Sequence, residues 1–422
     1  MKIAIVGSGI SGMTAAKNLY TNHEVTLFEA QDYVGGHTHT HKIKSNDGLL
    51  NIDTGFIVFN KKTYKNFFRM LEAAGVAYQE TKMSFSVKCE KTGLEYNGTS
   101  LNSLFAQRKN FFKPSFYKFL LGIGHFNKAA KKFLAHSNAQ ISLRSFIETE
   151  NIPKDVVDFY FIPMASAVWS ADLDLMWDFP AKFILQFWEN HGFLEINDRP
   201  QWYVIKGGSS AYIASFTKPF SDRIRLNTPV KSVWRDAGVV TVATKDGSEV
   251  FDKIIFACHS NQVLKILRDI DEAENSLLSS VPYQKNRAIL HTDASLLPKK
   301  KLAWAAWNYH LNDSQTSKKS AASVTYNMNI LQELESETIY NVTLNPITEI
   351  DKKTVIKELE YEHPIFTLES VKQQDGYAEW MGRNNTYFAG AYLRYGFHED
   401  GVITAMRVAN HVQGRAIDDG IF

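Results

Sequence analysis

The sequence predicts an α/β protein that begins with a Rossmann-like βαβ unit, and three observations predict it. Residues 3–6 (Ile-Ala-Ile-Val) form a short apolar run of the kind expected of a strand that is covered on both faces. An apolar helical segment comes next, and the turn before it has the G-x-G-x-x-G spacing in Gly7, Gly9 and Gly12. A second strand-like run, 24–28, ends in Glu29, which lies 22 residues after Gly7.

Each element of this unit has a physical reason. The first glycine permits the tight turn, the second lets backbone approach a pyrophosphate, and the third lets the helix pack on the strand. The helix N-terminus directs free N–H groups and the positive end of its dipole at phosphate groups. An acidic residue about 20 positions further on is where a ribose hydroxyl is bound. The predicted dinucleotide-binding residues of this unit are Gly7, Gly9, Ile10, Ser11, Gly12, Glu29 and Ala30.

Length and composition limit the class of protein. With 422 residues, of which 44% are hydrophobic and 22% charged, the chain is long enough for two domains and a sizeable core. A net charge of +2 argues against a general nucleic-acid binder. Cys89 and Cys258 form no C-x-x-C pair, which favours a reducing compartment and gives no zinc signal. Because we find neither a signal peptide nor an apolar run of about 20 residues, we expect a cytoplasmic protein, either free or peripheral at the inner face of the membrane.

Two further glycine motifs follow the second strand. Gly35 and Gly36 allow backbone to approach a bulky group. The segment 50–59 contains Asp53-Thr54-Gly55 and departs from a simple NAD-binding unit, in which a second crossover helix would follow. Together with the G-x-G-x-x-G spacing and Glu29, these motifs resemble the flavin-containing amine oxidoreductase superfamily. That superfamily includes amine oxidases, protoporphyrinogen oxidases and phytoene-desaturase-like enzymes.

Two later segments also resemble this superfamily. Residues 226–257 are similar to its adenine-side β-meander, and residues 386–403 are similar to the C-terminal segment that closes over the flavin. The resemblance implies an FAD cofactor, and it implies non-covalent binding because residues 376–390 contain no cysteine. It further implies that the cofactor is bound by Gly35, Gly36, His37, Thr38, Gly55, Val230, Gly390, Glu399, Gly401 and Val402.

The resemblance implies two interleaved domains. Residues 1–60, 200–285 and 375–422 would form a Rossmann-like FAD-binding domain of the amine oxidase type. Residues 61–199 and 286–374 would form an α+β substrate-binding domain. The residues support this division independently, because the first of the two substrate segments is helix-like and rich in aromatic side chains. Strand-like runs that would build an antiparallel sheet occur at 303–309, 322–326 and 339–344.

The expected chemistry is hydride transfer from the substrate to the flavin N5, while the protein positions the substrate and excludes water. The resemblance places His398 beside the flavin ring, where a histidine can shuttle a proton near neutral pH; a structural role is equally open. Gly207 and Gly208 either approach the cavity or only start a helix. No Ser-His-Asp elbow and no metal-ligand cluster stands out, which argues against hydrolases and metalloenzymes. The candidate catalytic residues are His398, Tyr395, Tyr392 and Trp307.

The expected substrate rests on a narrower resemblance. His37-Thr38 and the segments 286–293, 303–309 and 395–401 resemble a bacterial subgroup of FAD-binding oxidoreductases that is often encoded beside cyclopropane-fatty-acid-synthase-like methyltransferases. This implies dehydrogenation or oxidation of a membrane-lipid acyl chain in an apolar, aromatic cavity. Three alternatives stay open: oxidation of a soluble amine, redox-neutral isomerisation of a fatty acid, and a non-enzymatic module that FAD stabilises. Because no lysine can be assigned to the flavin N5, amine oxidation is the weaker reading.

A basic and aromatic span would suit a lipid substrate. No Asp or Glu occurs from Tyr96 to Ile147, while basic residues recur over 108–134. A helical spacing places on one face Phe112, Phe116, Leu120 and Ile123. Such a helix is typical of contact with an anionic membrane surface, and an amphipathic helix of the substrate domain with its lysines in water is an equal alternative. RNA binding is less favoured because no nucleic-acid module is present, and the oligomeric state is left open.

Overall fold

The computed structural model describes residues 1–45, 48–137, 139–195, 199–311 and 323–422. In chain order its strands are β1 (Lys2–Val6), β2 (Glu24–Phe28), β3 (Thr40–Ser45), β4 (Gly48–Asp53), β5 (Val58–Asn60), β6 (Tyr78–Thr81), β7 (Phe85–Cys89), β8 (Leu94–Asn97), β9 (Trp202–Ile205), β10 (Ile224–Arg225), β11 (Ser232–Asp236), β12 (Val239–Thr244), β13 (Gly247–Phe251), β14 (Lys253–Phe256), β15 (Tyr283–His291), β16 (Trp307–Leu311), β17 (Val324–Asn327), β18 (Asn341–Leu344), β19 (Val355–Pro364) and β20 (Thr386–Phe388).

Its helices are α1 (Ile10–Leu19), α2 (Lys65–Ala73), α3 (Leu101–Leu104), α4 (Pro114–His136), α5 (Leu143–Thr149), α6 (Lys154–Val156), α7 (Ile162–Trp169), α8 (Leu173–Met176), α9 (Ala181–Asn190), α10 (Ala211–Thr217), α11 (Ser260–Ile266), α12 (Glu272–Ser279), α13 (Met328–Leu331), α14 (Leu368–Gly376) and α15 (His398–Val412). Among the described helices, none is both long and apolar enough to cross a membrane.

A five-stranded parallel sheet, in the order β10-β2-β1-β14-β20, carries the predicted βαβ unit. β1 pairs along most of its length with β2 on one side and with β14 on the other. Its residues Ile3, Ala4 and Ile5 are fully buried, as an apolar strand covered on both faces must be. The N-terminus of α1 lies at the carboxyl edge of this sheet, where open α/β sheets bind their ligands.

A seven-stranded and mostly antiparallel sheet forms a second layer, in the order β19-β15-β18-β17-β16-β7-β8. The pair β7–β16 is its one parallel pairing within the described strands. The helices from α4 to α9 share one large apolar core with this sheet. The predicted fold class, a Rossmann-like unit combined with an α+β unit that contains an antiparallel sheet, is therefore confirmed. The domain boundaries remain a prediction.

Besides the antiparallel pair β3-β4, two smaller sheets complete the fold of the described residues. In one of them β9 pairs with both β5 and β6, and thereby joins segments that are far apart in the chain. The other is the antiparallel meander β11-β12-β13, which falls within the segment 226–257 that resembles an adenine-side meander.

Two of the predicted strand runs are only partly strand. In the run 303–309 the strand begins at Trp307, because the Asn308 side chain bonds to Ala305 at both its backbone N–H (3.0 Å) and its carbonyl (2.7 Å), which holds a turn before the strand. The run 339–344 becomes strand at Asn341. In the run 322–326, residue Ala322 lies outside the described residues.

The aromatic stripe predicted for α4 faces the core. Phe116 is 5% exposed, and Leu120 and Ile123 pack against the same core. Phe112 precedes the helix and is 89% exposed. Because burying aromatic rings in a core removes more apolar area from water than a peripheral contact does, the stripe serves packing. Of the four predicted stripe residues, Phe112 alone remains available to a membrane.

Candidate active site

A cavity of about 740 Å³ lies at the carboxyl edge of the parallel sheet. One side of it, here called the glycine wall, is formed by residues 7–11, 28–31, 35–37, 228–230 and 257–259. The opposite side, here called the aromatic wall, is formed by Phe56, Trp169, Phe187, Trp202, Trp307, Tyr326 and Phe397.

The glycine wall brings backbone close to the cavity. Gly7 has a φ of +101°, a conformation that favours glycine, and a Cβ on Gly12 would overlap the Gly7 carbonyl oxygen. No described atom lies within 4 Å of the place where a Cβ on Gly9 would stand, so the space above it is open. α1 begins there without a side-chain cap and without an acidic residue in its first turn. This N-terminus is suited to an anionic group.

Glu29 lies on the glycine wall and is held rigidly. Its Oε2 accepts hydrogen bonds from the Ser8 backbone N–H (2.9 Å) and hydroxyl (2.5 Å), and its Oε1 accepts one from the Gln31 N–H (2.9 Å). A carboxylate offers about four acceptor positions, so one is left for a hydroxyl donor. This suits the predicted contact with a ribose.

The Gly35-Gly36 turn packs against the same wall. A Cβ on Gly36 would lie 3.2 Å from the Gly9 Cα, and a Cβ on Gly55 would overlap the His37 carbonyl oxygen. The His37 Nε2 is buried and has no hydrogen-bond partner among the described residues. Burial lowers the pKa of His37, although a hydrogen bond to the Glu362 backbone opposes this.

Two histidines that sequence reasoning missed stand beside His37 on the cavity wall. The ring centroids of His259 and His363 both lie 5.6 Å from that of His37. Burial lowers the pKa of His259 to about 4 and that of His363 to about 3, so all three rings are neutral at pH 7. The position of His259, just past the carboxyl end of a parallel strand, was the available signal. His363 carried no signal, because it reaches the cavity from β19 of the other sheet.

His398 is the first residue of α15, and its ring stacks on Phe56 with 3.7 Å between the ring centroids. Its Nε2 lies 3.0 Å from the Thr38 Oγ1 and 3.1 Å from the Tyr212 hydroxyl. Burial, with a smaller effect of His37, lowers the pKa of His398 to about 3. The imidazole is therefore neutral at pH 7 and holds two hydroxyls, and its role as a proton shuttle stays a prediction.

Other predicted site residues also line the cavity, namely Ile10, Ser11, Ala30, Val230, Gly390, Tyr392 and Trp307. A Cβ on Gly390 would overlap the Tyr392 ring, which lies over it. The Tyr392 hydroxyl and the Trp307 Nε1 are buried, and neither has a hydrogen-bond partner within the described part of the chain. Two residues that line the main cavity thus each carry a buried polar atom without a partner among the described residues.

Several predicted site residues do not reach the wall, namely Gly12, Thr38, Tyr395, Glu399, Gly401 and Val402. The Glu399 carboxylate instead accepts the N–H groups of Asn66 and Phe67, each at 2.9 Å, at the start of α2. A Cβ on Gly401 would lie 2.7 Å from Ile10 in α1. The Tyr395 carbonyl accepts the Trp169 indole N–H at 3.1 Å. The predicted site roles of these six residues stay predictions.

The buried carboxylate of Asp53 links distant segments. Its Oδ1 accepts the Thr40 hydroxyl at 2.5 Å, and both oxygens lie 2.9 Å from the Ser209 N–H. The Gln332 side-chain amide donates to Oδ2 at 2.9 Å. Burial raises the pKa of Asp53 to about 6, against the effect of these hydrogen bonds. A Cβ on Gly208 would overlap the Thr40 side chain, so Gly208 packs closely at this junction.

The aromatic wall is built by ring contacts between separate elements. Phe397 stacks on Phe187 at 4.6 Å, and Trp307 meets Tyr326 edge-on at 5.2 Å. Trp307 and Met83 also line a second chamber of about 450 Å³, here called the outer chamber. The charged residues of the outer chamber are Glu80, Lys82, Arg199 and Glu333.

Charged groups are few in the main cavity. Among the described residues that line it, none is Lys, Arg or Asp, and the carboxylates are those of Glu29, Glu360 and Glu362. Lys285 pairs with Glu360 at 2.8 Å, and the Asn261 amide donates to Glu362 at 3.2 Å. Glu360 and Glu362 thus each have a partner outside the cavity's aromatic wall. Within the described residues no cluster of three or more His, Cys, Asp or Glu is arranged to hold a metal ion.

The residues present fit an FAD molecule. The cavity volume lies in the upper part of the range of about 300–1,000 Å³ for small-molecule sites. The glycine wall leaves open space over Gly9 at a helix N-terminus, and Glu29 keeps one acceptor position. His37 and Tyr392 present buried polar atoms that lack partners among the described residues, as a wall shaped for a polar ligand would.

Comparisons with known proteins agree with the predicted family. A family model described as Flavin containing amine oxidoreductase matches residues 10–331. The chain is 36% identical over 103 residues to a tryptophan 2-monooxygenase of Allorhizobium ampelinum, a match that covers 24% of this chain and 14% of that protein.

Two solved structures share the fold. One is the crystal structure of a CLA-producing fatty acid isomerase from P. acnes, with a TM-score of 0.67, 16% identity and 98% of each chain covered. The other is cyclohexylamine oxidase from Brevibacterium oxydans, with a TM-score of 0.66, 14% identity, and 98% of this chain and 99% of that chain covered. At such identities the likeness concerns the fold.

The family match extends over most of the chain and includes part of the glycine wall. The predicted family, enzyme class and cofactor are thereby confirmed. The chain belongs to the family of flavin-containing amine oxidoreductases, and it is an FAD-dependent oxidoreductase.

Proposed function

We propose that this enzyme oxidises an apolar part of its substrate, namely the acyl chain of a lipid. The observation that supports this most strongly is the aromatic wall together with the scarcity of charge: no Lys, Arg or Asp is found among the described residues that line the main cavity. An apolar chain placed there gains roughly 25 cal/mol for each Å² of surface removed from water.

FAD, when bound, supplies the oxidant that accepts a hydride from the substrate. The glycine wall would hold its dinucleotide part, with the α1 N-terminus facing phosphate and Glu29 facing a ribose hydroxyl. The aromatic wall would orient the chain and exclude water. Dehydrogenation breaks two C–H bonds and forms one C=C bond, so a proton must also leave, and an external electron acceptor must later take up the two electrons.

A cationic amine fits this cavity less well. Moving an ammonium ion out of water costs several kcal/mol, whereas a cation–π contact with an aromatic ring returns about 2 kcal/mol. Of the two carboxylates that could offset the remainder, Glu360 is already paired with Lys285, and Glu362 accepts a hydrogen bond from the Asn261 amide. The cavity therefore favours a neutral substrate over a protonated amine.

The lining becomes more polar from the main cavity to the outer chamber. It shares Met83, Val168 and Trp307 with the main cavity, and it also contains Lys82 and Arg199, whose side chains are exposed. A substrate with an apolar chain and a polar head matches an apolar cavity that continues into a more polar chamber. The head would remain in the outer chamber while the chain reaches the aromatic wall.

The test is anaerobic reduction of the purified holoenzyme. Phospholipids, free fatty acids and a panel of amines are mixed with it separately, and the absorbance of oxidised flavin is followed. We expect a lipid to bleach the flavin and to yield a product that has lost two hydrogens by mass spectrometry. Bleaching by amines alone, or a lipid product of unchanged mass formed without bleaching, would overturn the proposal in favour of amine oxidation or isomerisation.

A further inference from the structure

We propose that the protein docks on an anionic membrane surface through a patch at the start of α4, here called the docking patch. Its apolar members are Leu101, Phe111, Phe112, Tyr117 and Leu121. Its basic members are Arg108, Lys109, Lys113 and Lys118, all of them exposed. This inference concerns a surface of the molecule and does not depend on the substrate proposed above.

The apolar members are unusually exposed for their size. Phe112 is 89% exposed, and Leu101 and Leu121 are each 76% exposed. Single exposed apolar side chains are normal on a protein surface, whereas a concentration of them marks an interaction site. Here five large apolar side chains fall within one short segment, 101–121, which also carries the four basic residues.

Contacts within the patch hold it as one unit. The Arg108 guanidinium donates to the Asn102 side-chain oxygen at 2.6 Å and to the Phe105 carbonyl at 3.0 Å, so the turn at 108–112 is tied to α3. Phe105 stacks on Phe111 at 4.0 Å, and the Tyr117 hydroxyl donates to the Phe111 carbonyl at 3.1 Å. The surface is therefore preformed, and docking would not have to order it.

The outer face of α4 is distinct from the face that packs in the core. The inner face buries Phe116, Phe119, Phe126 and Phe133. On the outer face Tyr117, Leu121, Lys128 and Lys132 follow one another at spacings of four, seven and four residues. Tyr117 and Leu121 lie outside this core, and Tyr117 touches its edge at Phe105, with 6.0 Å between the ring centroids.

The positive charge of the docking patch indicates an anionic partner. No Asp or Glu occurs from Tyr96 to Ile147, and in the described part of this span Lys131 is the residue that forms an ion pair, with Glu195. Exposed aromatic side chains beside lysines are typical of contact with anionic lipid, where rings enter the headgroup boundary and lysines meet lipid phosphate. Charge and exposure together point to an anionic bilayer.

The patch lies next to the outer chamber. Thr99 lines that chamber, and Leu101 is two residues further along the chain. A membrane on the docking patch would therefore lie near one end of the outer chamber.

The test is flotation of the full-length holoenzyme with vesicles of phosphatidylcholine alone and of phosphatidylcholine mixed with phosphatidylglycerol. We expect binding to the mixed vesicles that weakens between ~0.15 M and ~1 M salt, because salt screens exposed charges. The double variant Lys109→Gln, Lys113→Gln should bind roughly 30-fold more weakly, since each lysine near an anionic surface contributes about a fivefold change. The double variant Phe112→Ser, Leu121→Ser should weaken binding at both salt concentrations.

Matched controls alter the same residue types elsewhere. Leu49→Ser replaces a side chain that is 60% exposed, and Lys245→Gln replaces an exposed lysine of the β12–β13 hairpin. Both should bind vesicles like the wild type, and all variants should keep their FAD content and melting temperature. The proposal is overturned if the wild type ignores mixed vesicles, if the patch variants bind as well as the controls, or if the patch variants only convert an oligomer into monomers.

Discussion

The two walls of the cavity are built in different ways. The glycine wall is mostly backbone. An added Cβ would meet neighbouring backbone at Gly7 and Gly36, and it would enter open space at Gly9. The aromatic wall is made of side chains from separate elements, with Trp307 on β16 and Phe187 on α9. The glycine wall requires that side chains be absent, whereas the aromatic wall requires large side chains. Enlarging a residue should therefore damage the first wall, and replacing an apolar side chain should damage the second.

The largest effect is expected from adding atoms to the glycine wall. Gly12→Val would drive a branched side chain into the Gly7 carbonyl, so we expect a loss of ~3 kcal/mol in the free energy of unfolding and no retained FAD. Thermal unfolding and the flavin spectrum of the purified protein measure both effects.

Gly9→Ala is the matched variant. A Cβ there meets no described atom within 4 Å, so the apoprotein should keep its stability within ~0.5 kcal/mol while FAD affinity falls at least ~10-fold. Unchanged FAD affinity in Gly9→Ala would show that the cofactor does not approach this backbone.

Acid should weaken both walls together. Burial lowers the pKa to about 4 or about 3 for His41, His191, His259, His291, His363 and His398. A group with a lowered folded-state pKa contributes stability above its unfolded value near 6.5 and loses it as the pH falls toward the folded value. Asp53, with a pKa raised to about 6, acts in the opposite direction, because its contribution is lost as the pH rises through about 6.

Six histidines outweigh one carboxylate in this range. We therefore expect the free energy of unfolding, measured with urea, to be lower at pH 5 than at pH 7, because each histidine contributes up to about 1.8 kcal/mol over this range and Asp53 offsets about 1.4 kcal/mol. Asp53→Asn removes the opposing group, so its loss over the same range should be steeper. A flat dependence would mean that these rings are already charged or solvated in the folded state.

A smaller effect is expected at the junction between segments. Asp53→Ala would leave the donors of Thr40, Ser209 and Gln332 without an acceptor, which should cost ~2 kcal/mol of stability. Asp53→Asn keeps one carbonyl oxygen and two donors for the neighbouring hydroxyls, so its loss at pH 7 should be clearly smaller. Asn keeps the size of the Asp side chain and Ala does not, so equal losses for the two variants, measured by urea unfolding, would show that an amide cannot replace the carboxylate as an acceptor.

The smallest effect should come from a charge at the edge of the aromatic wall. Met83 lines both the main cavity and the outer chamber. Met83→Asp should weaken the binding of a fluorescent fatty acid by ~10-fold without changing FAD content, whereas Met83→Leu should bind it like the wild type. If Met83→Asp releases FAD instead, the two walls are not separable.

The difference between the walls also explains what could be predicted from the sequence. Gly7, Gly9 and Glu29 belong to one continuous unit, so their spacing is enough to locate them. His363 and Tyr212 reach the site from distant segments of the chain, and no local sequence pattern predicts that these segments come together. The spacing of residues in α4 predicts a helix with an apolar face. It does not indicate whether that face packs against the core, as most of it does, or contacts a membrane.

The predicted contacts of Glu399 illustrate the same limit. Resemblance placed this residue near the cofactor, and the structure shows its carboxylate at the N-terminus of α2. A first-turn acidic residue of one helix can serve its own helix, a neighbouring helix or a ligand, and sequence alone does not distinguish these uses.

The strand order of the parallel sheet has a consequence for biosynthesis. β1 leaves the ribosome well before its neighbour β14 and the edge strand β20, which follow far later in the chain. At about 5–20 residues per second, the interval between β1 and β20 is on the order of 20–80 s. During that time the apolar β1 has no β14 beside it, and nascent chains would need shielding by chaperones until the last strand arrives and flavin loading can begin.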